Sequence, residues 1–273
     1  PTSLASWWGK DEHGKSLEEK LASAGVSVVP GSAKAQKTPI ANAQIDDNGQ
    51  ATYNFELEWQ VPPLPEVSSL SHLHTGSFAA TLAPGASAVV EAVKAMASQG
   101  TVSYDPNVRP SLMGTPEEVR PRIEELISLA DVVKASDEDI AWLYGKDTPI
   151  ETVLHQWKAM GPGLIVATRG PWASCALCAN DRDMLAVDPL NIKVKDTVGA
   201  GDSFMAGLIS GLLDAGLLGS AEAKQRLRQA RLSDIQDALH RATITSGITV
   251  SKVGAYGPTQ AEVAEVLAAD PTL

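Results

Sequence analysis

The chain has 273 residues, 44% of them hydrophobic and 20% charged, enough length and apolar content to bury one substantial α/β core. A net charge of −11 argues against a nucleic-acid surface, which needs clustered cations, but it leaves a nucleotide open because helix ends and Mg²⁺ can hold phosphates locally. No apolar run approaches a membrane span and none has the flanks of a signal peptide, so a cytoplasmic enzyme that acts neither on nucleic acid nor at a membrane is the expectation.

The chain opens on PTSLASWWGKDEHG, without Met and with an apolar stretch under way, and reads as lacking its natural beginning. Residues 16–24 predict a short helix closed by Gly25, and VSVV at 26–29 a strand. TPIANAQI and ATYNFELEW, joined by DDNGQ, predict a hairpin, with Asn48-Gly49 as its turn signal. Thr52, Asn54, Glu56 and Glu58 alternate with Tyr53, Phe55, Leu57 and Trp59, so the second strand has one apolar face. Two strands cannot bury such a face alone. It must cover a ligand or another subunit, which makes a homodimer formed through this hairpin an expectation.

From residue 70 strands alternate with helices. LSHLHTGS carries a strand, 85–98 a helix, TVSYDP a strand, and about 115–129 a helix opened by a Thr115-x-x-Glu118 capping box. Strand DVVKA, helices in SDEDIAWLYG and ETVLHQWKAM, and strand LIVATRG follow. Strands on either side of Asn180-Asp181 precede helices at about 200–215, 231–249 and 260–268. This order predicts an α/β fold: a largely parallel sheet covered by helices, with a β appendage inserted early.

In open α/β sheets ligands bind beyond the carboxyl ends of strands, and three loops there carry chemistry. DTVGAGDSF at 196–204 leads into a helix. Its glycines permit close backbone approach, and the first helical turn leaves N–H groups without intrahelical partners. Those donors suit a phosphoryl group, with Asp202 as proton acceptor; equally, Asp202 can simply stabilise a helix N-terminus. YDPNVRPSLM brings Asp105, Asn107 and Arg109 to a strand end, where Arg109 can hold sugar hydroxyls or a phosphate, or the segment is an ordinary turn. KASDED and VATRGPW form the third group: Ser136 reads as an N-cap with Asp139 three residues on, and Thr168-Arg169-Gly170 offers a hydroxyl, a cation and a close-approach glycine.

Other features are set aside. There is no GxxxxGK[ST], and Gly199-x-Gly201 lacks the third glycine of a dinucleotide fingerprint. Cys175 and Cys178 lie on opposite faces of a strand, and no second pair completes a zinc site. His72 and His74 read as packing residues, Trp7, Trp8 and Trp142 as core, and Trp59 as a cover for a ligand.

DTVGAGDSFMAGL closely resembles the C-terminal signature D-T-x-GAGD-x-F-x-x-G of the ribokinase-like (PfkB-type) carbohydrate kinases. WWGKDEHGKSL is similar to the family's GxDxxG segment, and the hairpin, DPNVRP, KASDED, VATRG and VSKVGAYGP match in order across nearly the whole chain; LHTGS, DPNVRP and SDEDIAWLY look most like bacterial fructokinases. The resemblance implies one ribokinase-like domain over 1–273, a three-layer sandwich with a mostly parallel sheet and a β lid at about 37–60. The chain opens after the family's N-terminal strand and glycine-pair segment, and omitted residues are the expectation. The implied reaction moves the γ-phosphoryl of ATP to a sugar hydroxyl, with fructose the favoured acceptor and 2-keto-3-deoxygluconate, ribose or a nucleoside as alternatives.

Carried over by that resemblance, Asp202 is the base, and the amides of Gly199, Ala200 and Gly201 form the anion hole. Asp11 and Arg109 contact the sugar, Ser136, Thr168 and Gly170 lie along ATP, and Ser246 and Gly247 lie near adenine. Asp139 reaches Mg²⁺ through water; Ser136 and Asp139 stand where many members have Asn-x-x-Glu. Asp196 and the Val198 backbone oxygen, with backbone oxygens around 253–255, seat a monovalent cation such as K⁺. A non-catalytic sugar- or nucleotide-binding relative that regulates a partner is the competing hypothesis; a nicotinamide oxidoreductase has little support once the fingerprint fails.

Overall fold

The computed structural model describes residues 1–45, 51–66 and 71–269, with the backbone alone for 42–45 and 51–56. The chain begins with a short parallel pair, β1 (Ser3–Leu4) and β2 (Ser27–Val28), around α1 (Glu12–Ser23). α1 starts four residues before the predicted helix because Asp11, in extended conformation, caps it by accepting the Gly14 N–H, satisfying one of the orphan amides of its first turn. The hairpin follows as β3 (Ile40–Ile45) and β4 (Ala51–Glu56), antiparallel from Ile40↔Glu56 to Ile45↔Ala51. Its predicted Asn48-Gly49 turn and apolar face at Tyr53 and Phe55 lie outside the described residues and side chains.

Trp59 corrects an expectation. β4 ends before it, and its indole N–H donates to the Ala79 carbonyl at 2.9 Å while its ring meets Phe78 edge-on. Trp59 therefore belongs to the core.

The rest of the chain is β5 (His72–Gly76), a 3₁₀ turn at Ser77–Ala80, α2 (Ala86–Gln99), β6 (Thr101–Asp105), α3 (Pro110–Met113), α4 (Pro116–Leu129), β7 (Val132–Ser136), α5 (Asp137–Tyr144), α6 (Ile150–Lys158), β8 (Leu164–Arg169), β9 (Trp172–Cys178), β10 (Leu185–Val187), α7 (Ala200–Asp214), α8 (Ala221–Gln229), α9 (Leu232–Val250) and α10 (Gln260–Ala269). The main sheet runs β10-β9-β8-β7-β6-β5, parallel from β5 to β8 and antiparallel through β9 and β10. Because successive strand side chains alternate faces, Val133, Ile165 and Leu177 pack under α2, α4, α5 and α6, whereas Val132, Leu164, Val166 and Cys178 pack under α7, α8 and α9. Burial on both faces explains why β7 and β8 read as near-continuous apolar runs. The predicted three layers are thus observed, and so is the separation of the cysteines: Cys175 lies against one core and Cys178 inside the other, both free thiols.

The predicted capping box at the start of α4 forms, with Glu118 accepting the Thr115 N–H at 2.9 Å. α8 was not predicted, since only Ala223 and Leu227 of its nine residues are buried and two apolar positions make no visible period. α7 lies unusually close to α9: a Cβ on Gly211 would stand 2.5 Å from Ala238 Cα, and one on Gly207 2.8 Å from Ala242 Cα. The small residues of MAGLISGLL thus let two backbones meet. No helix among the described residues is long and apolar enough to cross a membrane.

Candidate active site

The site is built around the start of α7. Its N-cap, Gly199, has φ +80°, the left-handed region, and a Cβ there would lie 3.3 Å from Ala255 Cα. Only glycine turns the chain at this point without strain and without striking the loop after α9. The first helical bond runs from Ser203 N–H to the Gly199 carbonyl at 2.8 Å, so the Gly201 and Asp202 amides have no intrahelical acceptor and point out of the positive helix end. Ala200 departs from expectation, because its N–H closes a turn onto the Thr197 carbonyl at 3.2 Å. Asp202 is exposed, and no hydrogen bond or salt bridge among the described residues occupies its carboxylate. A cavity of about 660 Å³ runs along this turn, lined by Gly199, Asp202, Ser203, Thr245 and Tyr256 among others.

Beneath the turn lies a buried ion pair that sequence reasoning passed over. Lys134 on β7 and Asp105 at the end of β6 meet at 2.8 Å, with side chains 4% and 5% exposed. Lys134 Nζ also stands 3.5 Å from the Gly201 carbonyl oxygen. Burial pushes the Asp105 carboxyl up to about 6, with Lys134 opposing the rise. The available signal was a lysine inside the apolar strand DVVKA, since a buried lysine must find a counter-charge. Alongside, His72 lies 2.9 Å from both Thr101 Oγ1 and Ser103 Oγ, and His74 2.9 Å from Ser103 Oγ, tying β5 to β6.

The loops expected to seat a cation do come together. Asp196 accepts Val198 N–H at 3.0 Å and Gly254 N–H at 2.8 Å, and these bonds hold its carboxyl below the usual range. The 196–199 turn is thereby latched to the loop carrying 253–255. Each Asp196 oxygen keeps a further lone pair for an ion, so the donor set fits a hard cation of low charge.

Ser136 and Thr168 are neighbours in register across β7 and β8, and Gly170 turns the chain at φ +53° with open space where a Cβ would be. Gly247 lies under Leu190, whose Cδ1 would be 2.7 Å from a Cβ at that position. Ser246, half-buried on α9, lines neither cavity. Arg109, Ser136 and Asp139 line a second cavity of about 630 Å³ with Asn107, Glu138 and Trp142, so they do not share a cavity with Asp202.

Two expected ligands also hold the fold together. Asp11, besides capping α1, accepts the Thr38 hydroxyl at 2.5 Å and the Thr38 N–H at 2.7 Å, and these bonds hold its carboxyl down at about 2. It clamps the foot of the hairpin and lines neither cavity. Asp139 accepts Ser136 N–H and Val108 N–H, each at 2.8 Å, one on each oxygen, and is buried. Together with the Ser136 hydroxyl it forms a capping box and ties the DPNVRP loop to α5, the local role that competed with metal binding. Arg109 is partly committed as well: Nη1 donates to Asn107 O and Oδ1 and to Val108 O. Among the described residues no group of three or more His, Cys, Asp or Glu is placed to hold a metal ion.

Comparison with known proteins meets this geometry at the level of family. The family model described as pfkB family carbohydrate kinase matches residues 1–262. The chain is 30% identical over 217 residues to a fructokinase of Klebsiella pneumoniae, spanning 77% of this chain and 70% of that protein. It is 29% identical over 272 residues to probable fructokinase-4 of Arabidopsis thaliana, spanning 95% and 79%. Among solved structures, a fructokinase with bound ATP from Xylella fastidiosa superposes with a TM-score of 0.80 at 22% identity, covering 98% of this chain and 85% of that one. A fructokinase double mutant from Vibrio cholerae O395, in fructose, ADP and potassium ion bound form, gives 0.74 at 23% identity, covering 96% and 84%. With its α/β layers, its GAGD turn and these matches, the chain belongs to the pfkB family of carbohydrate kinases.

Proposed function

We propose that this kinase transfers the γ-phosphoryl group of ATP to fructose, yielding fructose 6-phosphate and ADP. The observation that carries the reading is the unoccupied Asp202 carboxylate on the same helical turn as the unpartnered Gly201 and Asp202 amides. The fructose acceptor rests on the relatives that bear the name fructokinase. In this mechanism Asp202 accepts the proton of the attacking hydroxyl as its oxygen bonds to phosphorus and the bond to ADP breaks. The amides and the positive end of α7 hold the transferring oxygens, where positioning and charge stabilisation supply most of the catalysis.

The nucleotide runs past Thr168 and Gly170 toward Ser246 and Gly247, and Arg109 approaches the sugar with the guanidinium N–H groups its own loop leaves free. Mg²⁺, when bound with the nucleotide, supplies charge neutralisation at the phosphates. Each Asp139 oxygen accepts one hydrogen bond and keeps a further lone pair, through which Asp139 would reach the ion by way of water. Asp196, the Val198 carbonyl and the carbonyls around 253–255 would hold K⁺ and keep the turn in shape. The hairpin acts as a lid on a single domain that works in the cytoplasm, excluding water from the phosphoryl group; its apolar face also suits a hairpin-mediated dimer.

ATP-dependent phosphorylation across ketoses, aldoses, keto-acids and nucleosides, with Asp202→Asn beside the wild type, tests the reading. Fructose should be the best acceptor, and Asp202→Asn should lose about 10²–10⁴-fold in kcat with unchanged thermal stability. Full activity of Asp202→Asn overturns the mechanism, and a better acceptor of another class overturns the substrate.

A further inference from the structure

We infer that Lys134 is a positioning residue for phosphoryl transfer: paired with Asp105 beneath α7, its ammonium fixes Gly201 and so aims the amide donors of the first turn. The inference rests on the reading of the GAGD turn given above.

A lysine normally keeps its ammonium in water. Lys134 instead extends within the sheet and ends under the helix, where three N–H donors must be used. Asp105 Oδ2 takes one at 2.8 Å, and the Gly201 carbonyl faces Nζ at 3.5 Å. The other Asp105 oxygen, Oδ1, is buried without a partner. A pair left this incompletely satisfied is a poor stabilising device, since apolar residues of similar volume commonly do as well. Its placement accounts for it better: the ammonium is the end that meets the turn. A Cβ on Gly201 would lie 3.0 Å from Nζ, so the glycine leaves the room that lets the charge come up to the backbone. Positive charge at that point adds to the helix end where a transferring phosphoryl group gathers negative charge, and it is fixed before the reaction begins. Asp105 also feels the Asp202 charge, so pair and base share one electrostatic neighbourhood. Lys134 touches neither substrate nor reacting atoms; it works through Gly201.

The test compares wild type, Lys134→Met, Asp105→Asn and the double variant Lys134→Met/Asp105→Asn in the full chain, reading the thermal midpoint, kcat, and KM for ATP and sugar. Lys134→Met should lower kcat roughly 10–100-fold, below the loss for an oxyanion donor itself, and leave both KM values within about threefold. It should also lower the midpoint, because it strands Asp105. The double variant should recover the midpoint and stay slow, a split that a purely structural role does not produce. Recovery of kcat along with the midpoint, or a Lys134→Met kcat within about twofold of wild type, overturns the inference. Inorganic phosphate titrated calorimetrically into wild type and Lys134→Met reads the same turn without turnover. Binding about tenfold weaker in the variant is expected, and equal binding overturns the inference even if no sugar is phosphorylated. Absence of turnover in the wild type on every acceptor, with the phosphate difference intact, would instead count against the kinase reading alone.

Discussion

Gly199→Ala offers a sharp test of the turn, because Gly170 supplies a matched comparison. Both glycines have positive φ, +80° and +53°, so alanine at either meets the left-handed penalty of about 1–2 kcal/mol. At Gly170 nothing lies within 4 Å of the added carbon, whereas at Gly199 it meets Ala255 Cα and Cβ, both at 3.3 Å. The backbone of the 253–255 loop must then give by a few tenths of an ångström, adding roughly 1 kcal/mol, the low end for overpacking. Gly199→Ala should therefore cost about 2–3 kcal/mol and Gly170→Ala about 1–2 kcal/mol, measured by urea denaturation with unchanged slope. The Ala255 clash also shifts the first turn of α7, so Gly199→Ala should lose about 10²-fold in kcat, the scale expected for an ångström-sized misplacement of donors. Equal stability of the two variants would remove Ala255 as the wall behind the turn. Wild-type kcat in Gly199→Ala would show that the phosphoryl group is not held there.

Three further outcomes follow from the same geometry. Asp11 sits near 2 in the fold against 3.8 for the ordinary carboxyl, chiefly through the Thr38 hydroxyl. Its stabilisation is therefore present above about pH 4 and lost as pH falls toward 2, and Asp11→Asn should melt below wild type at neutral pH with the gap closing in acid. Asp105 has the opposite sign: raised to about 6 from 3.8, mainly by burial, it favours the fold below pH 4 and loses that contribution as pH rises through 6. Thermal midpoints of Asp105→Asn should lack that step. Gly247→Ala drives a methyl against Leu190 and should raise the KM for ATP several-fold with a smaller change in kcat, read from initial rates at saturating sugar.

The strands, the capping boxes at Thr115 and Ser136 and the start of α7 were legible in the sequence because each rests on local chemistry: alternation, a side chain reaching three residues ahead, a glycine at a left-handed turn. The family, too, was legible, since the signature around Asp202 is contiguous. Partnership across the chain was not. Asp11 is in a segment that matches a motif, yet Thr38, 27 residues on, decides that its carboxylate clamps a hairpin. Asp139 reads as the acid of a local cap on Ser136, yet the Val108 amide, 31 residues before it, also bonds to its carboxylate. Trp59 continues the alternation of β4, but the strand stops at Glu56 and the ring turns inward. Lys134 gave one faint sign, a charge inside an apolar strand, and its counter-ion and its glycine lie on β6 and α7. The sequence by itself determined which residues could do the chemistry, because backbone conformation and side-chain type are local properties. The tertiary structure decided which remain free to do it, because a hydrogen bond made elsewhere in the fold spends a lone pair that no local pattern records.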